Sequence, residues 1–477
     1  MLLIGLLVAA PLICVPFYPQ DKIYILPFAL PALGSVALGA AACLAARQSD
    51  AKFEWRSSME RSSLTVLFAW TWGVLVGALP FVFGGRLTFV QALFEAVSGW
   101  TTTGLSVMDV TVTPHIFLFH RSFMQFCGGL GFVMMIIMLV QDKQSMNLYN
   151  AEGHPDMLRP NLKKTAQTIC LMYNGFLVAG TAAYIIAGMN FFESVCHAMC
   201  SLSTGGFSTR LNSIGEYNSF PIEAVTIVLM LIGTTNFAVL QLVVTGKWKQ
   251  AFRVSEVKFM FVLLLISVPI TAASLITGLH MGLAEGFRRA LFDVSSALST
   301  TGYSSMSYTT WPPLAIGVLI LMMLIGGGIG STAGGIKLTR VYLIGRITLQ
   351  NIRKRLSPSR TVEAPCYIKA QGKTPIDAAL AADTIGFVGC YLGLYVVGVL
   401  LTTVTAGCSL TDAMFEFASA LGTVGLSIGL TTPATGAATL IVEMLGMMLG
   451  RLEIFIVLIG LCSGAAVLKQ KFRRKAE

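Results

Sequence analysis

The chain has 477 residues, 55% of them hydrophobic and 12% charged, with a formal net charge of +10 and a mean hydropathy of +0.74. A soluble globular chain carries roughly 25% charged residues, so this composition excludes an ordinary soluble enzyme, and its hydrophobicity excludes a disordered chain. It also excludes a nucleic-acid binder, which needs its Lys and Arg on a polar face. What remains is a polytopic membrane protein.

Crossing a hydrocarbon core takes about 20 apolar residues at 1.5 Å each. Ten stretches qualify: 1–17, 23–46, 62–84, 114–140, 165–188, 220–246, 257–279, 313–346, 380–405 and 433–467. The first is short and interrupted by Pro11 and Pro16, yet it lacks the charged n-region and small-residue cleavage site of a secretory leader, and it reads as a helix. An even count puts both termini on one side. The connections 47–61, 141–164, 247–256 and 347–379, with the tail after Val467, hold most of the 33 Lys and Arg. The positive-inside rule therefore places both termini in the cytoplasm. The opposite side holds Lys22, Arg86, Arg210, Arg288 and Arg289. The positive charge thus reports topology and contact with anionic membrane lipids, and a partner docking on the basic face stays open.

Cys14, Cys43, Cys127, Cys170, Cys390 and Cys462 lie in apolar spans, where a thiol behaves as a small hydrophobe. Cys196, His197 and Cys200 have the look of a metal cluster, but the fourth ligand is missing and the spacing fits no zinc pattern. A repeat explains these positions better. Four segments align without gaps over nineteen residues: TFVQALFEAVSGWTTTGLS (88–106), NFFESVCHAMCSLSTGGFS (190–208), GFRRALFDVSSALSTTGYS (286–304) and SLTDAMFEFASALGTVGLS (409–427). Each lies between two long spans.

Each segment opens on Thr88, Asn190, Gly286 or Ser409, residue types that favour a helix N-cap, and continues for about three turns of helix formers. It closes on the shared string T-x-G-[LFY]-S. Non-helical backbone at membrane depth is tolerated only where protein buries it or water fills the cavity, and four copies around a pseudo-fourfold axis make such a cavity. The potassium-channel filter is built from four TVGYG loops whose carbonyl oxygens replace the hydration shell of the ion. Thr423-Val424-Gly425-Leu426-Ser427 matches that string at three of five positions. Residues 102–106, 204–208, 300–304 and 423–427 therefore read as one selectivity filter. Its predicted K+ ligands are Thr102, Thr103, Gly104, Thr204, Gly205, Gly206, Thr300, Thr301, Gly302, Thr423, Val424 and Gly425.

Nine residues before each filter Gly stand Glu95, His197, Asp293 and Glu416. Ionisable groups at such depth are expensive and face protein or water. They read as a polar ring that tethers the short helices to the filter, with cation concentration and helix capping as the other readings.

In the eighth span GGGIGSTAGGIK (326–337) sets six Gly within ten residues, and each costs about 1 kcal/mol against Ala in a helix interior. A phosphate loop needs Gly-Lys-Ser/Thr after a strand; here Ile336 separates Gly335 from Lys337 and no strand precedes. A flexible loop that blocks or clears the pore fits better, with Gly326, Gly327, Gly328, Gly330, Gly334 and Gly335 as its hinges. Arg451, a lone cation at membrane depth in the fourth copy, reads as an electrostatic barrier or latch, with an ion pair to Glu443 or Glu453 as the alternative. Arg121 reads as a tether to a polar group such as Asp109.

At the four filters and the tract from Gly326 to Gly335 the sequence resembles the TrkH/KtrB/HKT superfamily of cation uptake proteins over nearly its whole length. The two leading spans, STGGFST at 203–209, GTTNFA at 233–238 and LYNAEGHP at 148–155 resemble TrkH more than the eight-span KtrB. The resemblance implies a K+-conducting homodimer in the bacterial inner membrane, gated by a cytoplasmic nucleotide-binding regulatory subunit of the TrkA type, and it agrees with a gate loop in the third repeat. Some plant HKT members carry Ser at the first filter Gly and favour Na+; Gly at all four positions here implies K+. Ser at the fifth position of every copy implies weaker discrimination than a true channel, with some passage of Na+ or Rb+.

The expected fold is all-α and polytopic: two leading helices and a linker (1–60), then four helix–pore-loop–helix repeats around one pore (61–150, 151–250, 251–360 and 361–477). No complete Walker motif is present and no organic cofactor is expected. A potential of 100 mV is worth about 2.3 kcal/mol per charge, or roughly fiftyfold accumulation, so passive conduction suffices. The rival readings are a proton- or sodium-coupled K+ symporter, the conducting subunit of a K+-transporting P-type ATPase, and a membrane-embedded enzyme. The last would need a paired nucleophile and base or a metal set within spans, and a chain with five His and no GxSG or HExxH speaks against it.

Overall fold

The computed structural model describes residues 1–48, 58–139, 161–356 and 365–476. The LYNAEGHP segment and most of the connections 47–61 and 141–164 lie outside them.

Two leading helices, Leu2–Ala9 and Ile25–Gln48, are joined by 3-10 turns at Ala10–Cys14 and Pro19–Tyr24. They cross closely, since a Cβ at Gly5 would meet the Ala32 carbonyl and Val36. Buried Asp21 in the linking turn accepts the backbone N–H of Ile116 at 2.9 Å, placing a carboxylate at the N-terminus of the helix that follows the first T-x-G loop.

The rest is one unit written four times: a leading helix, a short helix, an irregular loop and a trailing helix. The leading helices are Ser58–Phe83, Leu162–Ile186, Ser255–Leu279 and Ala378–Ala406, and the short helices are Phe89–Trp100, Phe191–Leu202, Leu283–Ser299 and Leu410–Gly422. Three short helices begin where the sequence places them. Gln91 Oε1 accepts the Thr88 N–H at 3.1 Å, Asn190 accepts the Glu193 N–H at 2.9 Å, and Ser409 accepts the Asp412 N–H at 3.2 Å. The third does not. Its N-cap is Gly282 and Gly286 lies inside the helix, because Leu283, Ala284 and Glu285 extend it. A Cβ at Gly286 would meet the Ile276 side chain, so that glycine serves close packing.

The trailing segments depart further from the sequence reading. All four are broken: His115–Leu130 with Phe132–Leu139, Phe220–Thr234 with Phe237–Val244, Pro313–Ile325 with Leu338–Leu356, and Ala437–Arg451 with Ile454–Ala476. The second and fourth bend by 116° and 105°. Each break has a local cause. Gly131 takes φ 81° and Glu453 φ 59°, both in the left-handed half of the map that ends a helix, and Asn236 caps the resumed helix by accepting the Ala238 N–H at 2.7 Å. The trailing spans are therefore, among the described residues, bent or interrupted rather than continuous helices. Among the described residues five helices are long and apolar enough to cross a membrane, or up to seven if each bent pair counts as one, and Leu2–Cys14 and Pro313–Ile325 are shorter apolar helices. An antiparallel hairpin, Cys366–Lys369 with Gly372–Pro375, occupies the connection before the fourth unit.

Candidate functional site

The short helices converge so that their loops meet end to end. A Cβ added at Gly104 would collide with the carbonyl oxygen of Gly205, one at Gly206 with that of Thr301, one at Gly302 with that of Val424, and one at Gly425 with that of Thr103. The loops form a closed ring in chain order, each glycine seated against the backbone of the next copy.

The backbone repeats as strictly. Gly104, Gly206, Gly302 and Gly425 have φ of 98°, 72°, 82° and 98°, a region open to glycine. Thr102, Thr204, Thr300 and Thr423 also have positive φ, of 55°, 53°, 56° and 49°, where a β-branched residue is strained. The short helix above holds this conformation. Thr103, Gly205, Thr301 and Val424 donate N–H to the carbonyls of Ser98, Cys200, Ser296 and Ser419 at 2.8–3.0 Å. Gly104 and Gly425 donate to the hydroxyls of Ser98 and Ser419, each at 2.9 Å.

The polar ring ties the far end of each loop back to its helix. Glu95 accepts Ser106 Oγ at 3.0 Å and the Val107 N–H at 3.1 Å. His197 Nδ1 bonds the Glu193 carbonyl at 2.8 Å, which can only accept, so its Nε2 is left to accept Ser208 Oγ at 3.1 Å. Both ring nitrogens are thus engaged within the protein. Asp293 accepts the N–H and hydroxyl of Ser305 and the Tyr308 hydroxyl, one residue beyond the aligned Ser304. Glu416 takes Ser427 Oγ at 2.7 Å, the N–H groups of Ile428 and Thr431 at 3.0 and 3.1 Å, and Thr431 Oγ1 at 2.5 Å.

Arg121 does not reach Asp109. It pairs with Glu95 at 2.5 Å, donates to Ser106 Oγ at 2.8 Å and lies over the Phe207 ring at 4.0 Å, because a buried guanidinium is stable only beside a buried anion. Asp109 is exposed on the loop and takes the hydroxyl and N–H of Thr111, which hold its carboxyl below the usual range. Gln125, which the sequence reading passed over, donates Nε2 to the Gly205 carbonyl at 2.5 Å and accepts the Phe207 N–H at 3.1 Å. A glutamine in the apolar string FMQFCGG was the available signal.

Beyond the ring on one side is a cavity of about 650 Å³ lined by all four T-x-G glycines with Asp109, Arg121, Arg210 and Glu216. On the other side lies the glycine tract. Helix stops at Ile325 and resumes at Leu338, and the residues between turn in against the threonines. Thr332 Oγ1 is 3.1 Å from Thr204 Oγ1 and lies 3.0 and 2.9 Å from the Leu202 and Gly233 carbonyls, either of which can accept its hydrogen. The Gly334 N–H donates to Thr300 Oγ1 at 2.9 Å, and a Cβ at Gly334 would strike Thr423 Oγ1. The buried hydroxyls of Thr102 and Thr423 make no hydrogen bond to protein. A Cβ at Gly326 would strike the Gly334 carbonyl, the Gly327 N–H bonds that carbonyl at 3.3 Å, the Gly328 N–H bonds the Thr234 carbonyl at 3.0 Å, and the Gly330 carbonyl accepts the Phe237 N–H at 3.2 Å. Gly335, at φ 76°, completes the return. Glu256 fastens the tract from outside, accepting the Ile329 N–H at 2.9 Å and Thr339 Oγ1 at 3.0 Å.

Arg451 joins the tract to the first unit, donating to the Thr332 carbonyl and to the Gly128 and Gly129 carbonyls at 2.6 and 3.2 Å. The acids considered as its partners are committed elsewhere: Glu453 pairs with Arg340 at 2.7 Å, and Glu443 lies within 3.1 Å of Thr431 Oγ1.

Residues 37–463 match the family model "TrkH: Cation transport protein", which makes the chain a membrane cation transporter and not an enzyme. The Trk system potassium uptake protein TrkG of Escherichia coli (strain K12) is 29% identical over 465 residues, covering 94% of this chain and 93% of that protein. TrkH of Halomonas elongata is 31% identical over 81% of this chain and 82% of its own. The crystal structure of the potassium transporter TrkH from Vibrio parahaemolyticus matches with a TM-score of 0.82 at 25% identity, over 96% of this chain and 95% of that one. The chain belongs to the TrkH family.

Proposed function

We propose that this chain takes up K+ by conduction through a filter formed by residues 102–106, 204–208, 300–304 and 423–427. The observation that carries the reading is the closed ring in which four T-x-G loops share one backbone signature, including strained threonines, around one axis. Successive carbonyls at Thr103, Gly205, Thr301 and Val424, with the unbonded hydroxyls of Thr102 and Thr423, supply uncharged oxygen to a dehydrated cation. The four helix–loop–helix units at 61–150, 151–250, 251–360 and 361–477 are the repeats that build it, preceded by two helices in 1–60.

The tract 326–335 is the gate and Arg451 its latch. The bonds of Thr332, Gly334 and Arg451 support a reading in which the tract blocks the pore and opening requires that Arg451 release Thr332 or move with it. The chain lies in the bacterial inner membrane with both termini cytoplasmic, as the charge asymmetry supports. It works as a homodimer under a TrkA-type nucleotide-binding subunit, which supplies the regulation for which this chain has no nucleotide motif, and the membrane potential drives uptake.

Flux into liposomes holding the purified protein alone, at a set membrane potential, tests the reading. K+ enters without ATP or a co-ion, and deleting part of 326–335 raises the rate. Uptake that stops when protons or Na+ are withdrawn at fixed potential indicates a symporter, and loss of flux on deletion in folded protein removes the gate assignment.

A further inference from the structure

A second cavity, of about 810 Å³, lies between the start of helix Ser255–Leu279, helix Leu338–Leu356 and the hairpin. Four cations line it, Arg253, Lys258, Arg346 and Lys373, and among the described residues no acidic side chain does. None of the four forms an ion pair among the described residues. Arg346 is half-buried, and its Nε is buried without a hydrogen-bond partner, a donor whose desolvation the protein leaves uncompensated. The hairpin wall is fixed in place, since the Ile368 N–H donates to Ser255 Oγ at 2.9 Å.

We propose that this cavity binds the phosphate headgroup of an anionic phospholipid from the surrounding bilayer. Charge argues for a phosphate, because like cations gathered around one cavity repel until an anion joins them. The lining argues for a lipid. Phe259 and Val262 continue the same wall, and the helix beyond carries Leu265 at 75% and Ile266 at 54% exposure, an apolar track for an acyl chain that a soluble phosphate would not use. Basic pockets between membrane helices at the positively charged face take such headgroups. Glu256, between Arg253 and Lys258 in sequence, fastens the glycine tract through Ile329. It rests on the charge and shape of the cavity and stands whether or not the chain conducts K+.

The test is lipid retention by the full-length protein, reconstituted in phosphatidylcholine with and without phosphatidylglycerol and read by native mass spectrometry. The wild type retains phosphatidylglycerol over phosphatidylcholine. Arg253→Gln with Lys373→Gln, both exposed and so safe for folding, weakens that retention by about fivefold per cation removed, and Arg346→Lys keeps it. Unchanged retention in the double variant overturns the proposal. So does displacement of phosphatidylglycerol by equal inorganic phosphate or ATP, which marks a soluble phosphate site, and so does equal retention of both lipids by the wild type.

Discussion

The first and fourth loops share a backbone but are held by opposite electrostatic means. Behind the first, Glu95 and Arg121 form an ion pair in which both side chains are at most 2% exposed, and the guanidinium reaches on to Ser106. Behind the fourth, Glu416 is surrounded by N–H and O–H donors and shares one of them with a second acid, since Thr431 Oγ1 is 2.5 Å from Glu416 and 3.1 Å from Glu443. One hydroxyl has one hydrogen, so Thr431 can serve a single carboxylate at a time. The first arrangement depends on charge balance; the second depends on donor count. The same loop geometry thus tolerates different supports, and each fails in its own way.

The sharpest way to break the comparison is Arg121→Met, which leaves Glu95 charged and buried. It costs about 3–5 kcal/mol in thermal unfolding, and adding Glu95→Gln restores part of that; equal losses in single and double variants mean that the pair is uncoupled. Glu416→Gln comes next, because an amide offers one acceptor oxygen to four donors. Its loss is about 1.5–3 kcal/mol, with K+ flux falling alongside stability. Glu443→Gln is nearly silent, below about 1 kcal/mol, because its N–H can donate to the Thr431 oxygen; a loss as large as that of Glu416→Gln shows that Glu443 acts as a charge. The smallest effect is Asp109→Asn. The Asp109 carboxyl sits below its ordinary range through Thr111, so its contribution is present above the unfolded value and fades as pH falls through the folded one. The variant lacks that dependence, which a comparison of unfolding at mildly and strongly acidic pH reads.

Much of the ring was legible because a repeat aligns its own chemistry: the glycines, the caps at Thr88, Asn190 and Ser409, and the polar ring all fall at fixed offsets. The strain at Thr102, Thr204, Thr300 and Thr423 was not legible, since β-branched residues carry no sequence signal for positive φ. The breaks at Gly131, Asn236 and Glu453 were hidden for a different reason. Apolar composition persists across them, and only capping and backbone angle distinguish a bent helix from a straight one. The partners of Gln125 and Arg451 lie in other repeats, so spacing along the chain could not supply them, and Arg121 finds Glu95 within its own repeat but on a different helix. The position of the glycine tract against Thr204, Thr300 and Thr423 likewise emerges only when the third trailing segment folds under the ring.

The central claim is that four loops act as one K+ filter, and ion preference in liposomes after Gly302→Ser tests it most directly. The Gly302 Cα lies against the Val424 carbonyl, where an added Cβ has no room, so the variant must displace a carbonyl of the ring. With folded wild-type and variant protein at the same potential, the account predicts K+ and Rb+ favoured over Na+ in the wild type and a reduced K+ preference in the variant, and likewise in Gly104→Ser. Unchanged K+, Rb+ and Na+ rates in both variants would contradict it.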